Sequence, residues 1–416
     1  MKKILLIISI IILGVGTYLT VNYYQNKIPV LSIEDQVISI DKLYTYGTHL
    51  NIEGTNLPEG TLDLVLYNGE FISIPLNITN TSFNLSNQVN NGYYLDELPI
   101  GKYYLFVRNT INDAENTNYY YYSLKNNTNY PETTYYTFSN HNKKIVITSE
   151  ETYPTMIINV TKNTNKEVYD IVLDPGHGGM DGGASKHGYR ETDFTMDIAY
   201  EIATILRNNG LKVKLTHEPN SLTKNNRLPE YGIHGRAVIP GEVHAKYLFS
   251  IHLNSSNYSA VKGLEIYTAA DINYDLAKLL VNNITTTTGL SISNNKVNKM
   301  SDGVYTRKFT EADVTSSIKE ATENDMLPYD YSTNSNYYYI IRETGGIVTG
   351  AYVDSRNPGF TGNPNYDTNT GTESYILELG YITNKSDLNN IINNQDKYIK
   401  AISDTILTLY KSETNE

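Results

Sequence analysis

Cysteine is absent from all 416 residues, which excludes disulfide staples and any metal site built on thiolates. A bound metal must therefore rest on histidine and carboxylate. Tryptophan is also absent while tyrosine reaches 38; with abundant asparagine, this reads as a skewed residue supply and not as a mechanism. Positive charge is scarce, with 33 Lys+Arg against 45 Asp+Glu, a net charge of -12 and a pI near 5.2. Gripping a nucleic-acid backbone needs a Lys/Arg surface that releases counterions, so a nucleic-acid partner is not expected. The apolar share of 40 % and charged share of 19 % are ordinary for globular protein. At roughly 100 to 200 residues per domain, the length suffices for two or three folded units.

The first segment is apolar. Lys2 and Lys3 precede a run from Ile4 to Val21 whose polar interruptions are Ser9, Thr17, Tyr18 and Thr20, about the length that spans a bilayer. No small-x-small cleavage site stands cleanly before Asn22, so residues 1–27 are expected to form an uncleaved signal anchor. The alternative is a secreted chain after signal cleavage. The positive-inside rule places Met1 to Lys3 in the cytoplasm and everything beyond about Tyr23 outside.

Residues 28–163 follow with period two. Leu62, Leu64 and Leu66 alternate with polar partners, Asn68-Gly69 predicts a type I′ turn, and Phe71 to Ile74 runs back as the second arm of a hairpin. Further strands are expected at Gln36 to Ile40, His49 to Glu53, Lys102 to Arg108, Asn118 to Leu124, Lys143 to Thr148 and Thr155 to Val160. An immunoglobulin-like β-sandwich fits this pattern. After the polar stretch Lys162 to Lys166, strands alternate with amphipathic helices, which predicts an α/β domain over 167–413 with an open twisted sheet and flanking helices. Its strands are expected at Tyr169 to Leu173, Lys212 to Thr216, Tyr247 to His252, Gly263 to Thr268 and Tyr375 to Leu379. Helices are expected at about Phe194 to Asn208, Asp275 to Thr287 and Asp396 to Tyr410. From about 291 to 372 both signals weaken, apart from a strand pattern at Tyr337 to Arg342 and carboxylates from Glu311 to Asp325 that suit a solvated helix. A stretch this long reads as a functional insertion or as disorder.

Two strands carry a histidine to their ends. Ile171-Val172-Leu173-Asp174-Pro175-Gly176-His177-Gly178-Gly179 delivers His177 into a glycine-rich turn, and Leu248 to Asn254 delivers His252. Strand ends of open α/β sheets are where ligands bind. A lone loop histidine is more often structural, but two at corresponding strand ends favour a metal site. Glu191, just ahead of the helix beginning near Asp193, offers a carboxylate; its bland reading is helix capping, which Asp193 serves better. Glu378 sits inside the apolar run Ile376-Leu377-Glu378-Leu379, where an unpaired charge is expensive. A buried salt bridge is one explanation and proximity to a metal is the other. His49, His141, His187, His217, His234 and His244 lack strand-end context and are read as structural or exposed.

Four motifs in this order resemble the zinc-dependent N-acetylmuramoyl-L-alanine amidases of bacterial cell-wall hydrolysis, the amidase type 3 group. They are Asp174-Pro175-Gly176-His177-Gly178-Gly179 with Asp181-Gly182-Gly183-Ala184, Arg190-Glu191-Thr192-Asp193-Phe194, Ser250 to Ser255, and Leu377-Glu378-Leu379-Gly380-Tyr381-Ile382-Thr383-Asn384. The resemblance covers Tyr169 to about Tyr410. It implies Zn2+ held by His177, Glu191 and His252, with Glu378 as catalytic carboxylate, and hydrolysis of the amide between N-acetylmuramic acid and L-alanine in peptidoglycan. It also implies a place in the bacterial cell envelope. Arg236, in the looser stretch before the second histidine, stays outside this set. Two alternatives remain: a wall-binding or regulatory homologue without catalysis, and a nucleotide enzyme with a phosphate-cradling turn. Retention of all four site residues speaks against the first, and the lack of a Lys-Ser/Thr after the glycines against the second.

Overall fold

The computed structural model describes residues 31, 33–85, 92–126, 132–149, 154–228, 235–269, 272–323, 333, 336–338, 340–341 and 371–412. The expected anchor over 1–27 lies outside them. Among the described residues, no helix is long and apolar enough to cross a membrane.

The N-terminal part is all β. Its strands are β1 (Ile33–Tyr46), β2 (His49–Thr55), β3 (Thr61–Tyr67), β4 (Phe71–Pro75), β5 (Asn77–Thr79), β6 (Ser82–Asn84), β7 (Tyr93–Tyr94), β8 (Gly101–Asn112), β9 (Thr117–Asn126), β10 (Glu132–Tyr136), β11 (Lys143–Thr148) and β12 (Ile157–Lys162). They pair in the order β10-β11-β12-β8-β9-β1-β2-β6-β5, with β3 and β4 branching from β8 and β7 from β2. Alternate residues such as Leu64, Leu66, Leu105 and Val107 enter one apolar core. The expected hairpin forms, but its loop differs from a two-residue turn: Tyr67 faces Phe71, leaving three residues between, of which Gly69 takes the positive φ of +116°.

The C-terminal part is an open α/β sheet. Its elements are β13 (Ile171–Pro175), a small hairpin of β14 (Ser185–Lys186) and β15 (Tyr189–Arg190), α1 (Thr192–Asn208), β16 (Val213–Leu215), α2 (Ile239–Glu242), β17 (Tyr247–Asn254), β18 (Glu265–Tyr267), α3 (Asp275–Thr288), β19 (Lys299–Ser301), β20 (Val304–Tyr305), α4 (Glu311–Glu323), β21 (Glu373–Tyr381) and α5 (Lys385–Ser412). The strand order is β16-β13-β17-β21-β18-β20-β19, with β13, β16, β17 and β21 parallel and β18 antiparallel to β21.

Side-chain alternation along these strands separates two tasks. Ile171, Leu173, Phe249, Ile251, Tyr375 and Leu377 face α1, α3 and α5 in one apolar cluster. Asp174, Ser250, His252 and Glu378 occupy the alternate positions. One face therefore packs on these helices, while the other carries the polar groups beside Val172, Leu248 and Ile376, which are buried in smaller apolar clusters.

Two local expectations need correction. Tyr337 and Tyr338 lie in a bend and Ile340 and Ile341 in a helical turn, so no strand runs there; Arg342 lies outside the described residues. Burial of this segment's aromatic and aliphatic side chains against Tyr267 and Tyr305 overrides its strand-like composition. The last helix starts eleven residues before Asp396, at Lys385. Asn389, Asn390, Asn393 and Asn394 weaken its helical signal, yet Leu388 and Ile391 are buried in the main core, and Asn394 marks a kink at φ -134°.

The two sheets share a boundary. Phe138, fully buried, joins the core of the C-terminal sheet, stacked 6.1 Å from Tyr247 and edge-on 5.6 Å from Tyr410. Ser139 donates to Asp170 through its N–H at 2.7 Å and its hydroxyl at 2.6 Å. Removing the shared ring leaves a cavity, so Phe138→Ala is expected to cost about 3–5 kcal/mol in urea unfolding. A loss below about 1 kcal/mol would show that Phe138 is not part of a packed core.

Candidate metal centre

β13 ends at Pro175, and the chain turns sharply through Gly176 to Gly179. The N–H of Gly176 still bonds Ile251 O on β17 at 2.8 Å. A Cβ at Gly176 would lie 2.6 Å from His252 Cε1, so only glycine lets the turn pass this close. His177 itself adopts φ +64°, uncommon for a residue with a side chain. Its Nδ1 meets Asp181 Oδ2 at 2.9 Å, while Asp181 Oδ1 accepts the N–H of Gly183 at 3.1 Å. The turn thus fixes the ring from behind and leaves Nε2 facing inward.

Glu191 is only 2 % exposed, immediately before α1. It does not cap the helix with its side chain. Its carboxylate instead accepts the backbone N–H groups of Ala184 at 3.0 Å and Leu253 at 2.9 Å. Oε1 also meets His252 Nδ1 at 2.9 Å, and Oε2 meets His177 Nε2 at 3.2 Å. The imidazoles stand edge to face, 4.9 Å apart. One donor atom from each of His177, Glu191 and His252 lies within 4.8 Å of the other two, a group that could hold a metal ion. At Gly183, with φ +64°, a Cβ would come within 2.6 Å of Glu191 Oε2 and 2.7 Å of His177 Cδ2, so bulk there would push the donors apart.

Glu378, on β21, is the register partner of His252 on β17. Its Oε2 is buried and has no hydrogen-bond partner among the described residues. Burial, with Glu191 and Glu265 adding to it and His252 opposing, pushes its carboxyl up to about 8. Among the described residues, no hydrogen bond or salt bridge reaches this buried oxygen. Its cross-strand neighbour Glu265 is tied down fully, accepting from Tyr381 Oη at 2.5 Å, Ser293 Oγ at 2.6 Å, Tyr267 Oη at 2.7 Å and Asn254 Nδ2 at 2.9 Å.

Burial opposes charge on both histidines, yet Glu191 and Asp181 push His177 up to about 9, and Glu191 raises His252 as well. Burial likewise opposes charge on Glu191, and the two rings hold it well below the usual carboxylate range. Without metal the three groups are bound to each other by charge.

Three contributors were not assigned from sequence. Arg236, 5 % exposed, donates to Asp174 Oδ1 at 3.0 Å, to Pro175 O at 2.7 Å and to His177 O, clamping the turn. Asp174 also accepts from Thr216 at 2.6 Å and Ser250 at 2.7 Å. Asp181 and Glu265 are the others. A charged Asp on the inward face of an apolar strand was a signal that some cation must reach it, though not which one. Of the histidines read as structural, His187 approaches Thr383 O at 3.4 Å, His217 is buried beside the turn, and His234 lies outside the described residues.

Residues 171–345 match the family model described as N-acetylmuramoyl-L-alanine amidase. The chain is 33 % identical over 129 residues to the probable cell wall amidase LytH of Staphylococcus saprophyticus, covering 30 % of this chain and 40 % of that protein. It is 32 % identical over 98 residues to the N-acetylmuramoyl-L-alanine amidase AmiA of Escherichia coli, covering 23 % and 31 % respectively. The chain thus spans less than half the length of these curated relatives. Among solved structures, the amidase AmiC2 of Nostoc punctiforme aligns at 23 % identity and a TM-score of 0.37, over 59 % of this chain and 99 % of that one.

The charge arrangement sets a pH dependence for the metal-free protein. A histidine raised on folding stabilises fully below its unfolded value, about 6.5, and that contribution is lost as pH rises through about 9. The depressed Glu191 contributes above its unfolded value, about 4.3, and ceases to do so as pH falls below it. After chelation, the melting temperature is expected to fall from about pH 6.5 to about pH 9, with a shallower fall in His177→Ala. Parallel curves for the two proteins in thermal scans would contradict it.

Proposed function

We propose, for a chain that carries an amidase type 3 domain over residues 171–345, that this part hydrolyses the amide bond between N-acetylmuramic acid and L-alanine in peptidoglycan. The observation that carries the reading is the convergence of His177, Glu191 and His252 beside a buried Glu378 oxygen left without a partner.

The donor set suits Zn2+. Two imidazole nitrogens and one carboxylate, in a chain without thiols, are the ligand types of a catalytic zinc site with an open position. The Asp181 carboxylate on the far nitrogen of His177 is the usual outer partner of such a ligand. His177, Glu191 and His252 are assigned as the ligands. When bound, the metal supplies a Lewis acid for the scissile carbonyl and lowers the pKa of water.

The remaining work falls to the protein's own groups. Glu378 takes the proton of the attacking water and returns it to the leaving nitrogen of L-alanine. The transfer is assigned to Glu378 because it is the register partner of His252 and its buried Oε2 has no hydrogen-bond partner among the described residues. Glu265, held by four donors, is fixed in position beside Glu378 on the neighbouring strand. Arg236 and Asp174 hold the His177 turn so that the ring does not swing with each turnover.

Around this centre the assignment is a signal anchor over 1–27, an immunoglobulin-like spacer over 28–163 and the catalytic domain over 167–413, with the stretch from about 291 to 372 forming a cover or substrate wall. The apolar run Ile4 to Val21 supports anchorage in the cytoplasmic membrane with the catalytic part outside, in the bacterial envelope.

Glu378→Gln is expected to bind zinc at wild-type stoichiometry while releasing amino termini from purified peptidoglycan at least about 100-fold more slowly. Near-native release by that variant, measured beside a chelated wild-type control that zinc restores, would remove Glu378 from the mechanism.

A further inference from the structure

The two sheets meet again where β1 turns into β2. Tyr44 and Tyr46, at the end of β1, join Tyr267, Tyr305 and Ile376 of the C-terminal sheet in one apolar cluster. Between the strands, Gly47 takes φ +57° and donates its N–H to Gly371 O at 2.8 Å, just ahead of β21. Thr48 follows, its hydroxyl 3.5 Å from Tyr247 Oη on β17. The tip of a sandwich turn is thus seated on the root of the strand that carries Glu378.

A carboxyl lies directly under this turn. Glu373, the first residue of β21, is 3 % exposed, and a Cβ on Gly47 would come 2.7 Å from its Oε2, so only glycine lets the turn sit this close. Its Oε1 accepts the hydroxyl of Tyr375, and among the described residues no salt bridge joins it. The groups that face it are phenols: Tyr46 from β1, Tyr247 from β17 and Tyr375 from its own strand. From β2, His49 is pushed down to about 4 by burial and is neutral. Lys246 accepts the Glu373 N–H on its carbonyl at 2.9 Å, but its ammonium lies 5.9 Å over the Phe138 ring and acts on Asp96. A neutral carboxyl fits these surroundings, whereas a carboxylate there has no counter-charge.

We propose that Glu373 is a proton-operated latch between the two sheets: protonated, it lets the β1–β2 turn seat on the root of β21, and ionised, it loosens that seat. The inference stands apart from the reaction assigned to the metal centre. Burial pushes Glu373 up to about 7, with the Tyr375 hydroxyl opposing. When the turn lifts, water reaches the carboxyl and its pKa returns towards about 4.3. The seated form therefore holds the proton more tightly. Seating is strongest below about pH 4.3, weakens as pH rises, and levels off above about 7.

The test is amide hydrogen exchange of the full chain at about pH 5 and about pH 7, corrected for the intrinsic pH dependence of exchange and read on peptides that contain Gly47. The wild type is expected to lose protection at Gly47 at least about tenfold across that range, while β17 keeps its own. Glu373→Gln, neutral at every pH, is expected to keep Gly47 protected throughout. Tyr375→Phe, which removes the hydrogen bond that favours the carboxylate, is expected to move the loss of protection to higher pH, and it decides the matter if Glu373→Gln fails to fold. Equal wild-type protection at the two pH values overturns the latch. An unchanged loss in a folded Glu373→Gln protein, or a loss that stays in place in Tyr375→Phe, overturns it as well.

Discussion

A single buried carboxylate organises the centre. Glu191 meets two imidazoles and two backbone N–H groups, and these come from three places in the chain: the His177 turn, Ala184, and β17, which supplies both His252 and Leu253. A carboxylate this deep is tolerated only because each oxygen is fully answered. The same requirement pins the glycine turn, the start of α1 and the end of β17 against one another. The two histidines are held by their counter-charge before any ion arrives, so metal binding needs to displace protons more than to rearrange chain.

A second buried charge, Asp174, carries the order outward. Through Arg236 it fastens the carbonyls of Pro175 and His177, through Ser250 it touches β17, and through Thr216 it reaches the residue just beyond β16. The turn that presents His177 therefore depends on one ion pair. Rigidity of this kind serves the proposed hydrolysis, because a displacement of about 1 Å in a reacting group can cost two orders of magnitude in rate. One face of the sheet packs on α1, α3 and α5, while the other combines the polar groups with smaller apolar clusters around Val172, Leu248 and Ile376.

Much of this could be read from sequence where the signal is local. The period of two in β13, β17 and β21 and the Pro-Gly stop after Leu173-Asp174 mark where His177, His252 and Glu378 sit on the sheet. Glu191 gave a misleading alternative, since an acid before a helix usually caps it, and only the folded turn shows its side chain aimed inward. Arg236 could not be placed, because its contact with Asp174 spans 62 residues of chain and no spacing rule links them. The strand pattern at Tyr337 and the asparagine-rich start of α5 misled for one reason: tertiary burial outweighed local propensity.

The central claim is geometric, and crystallography at the zinc absorption edge tests it most directly. Crystals grown with Zn2+ are expected to show one strong anomalous peak per chain, bonded to His177, Glu191 and His252 at about 2.0–2.2 Å, with Glu378 beside it and not bonded. A peak at other residues, or an ion reached by fewer than three of these side chains, would contradict it.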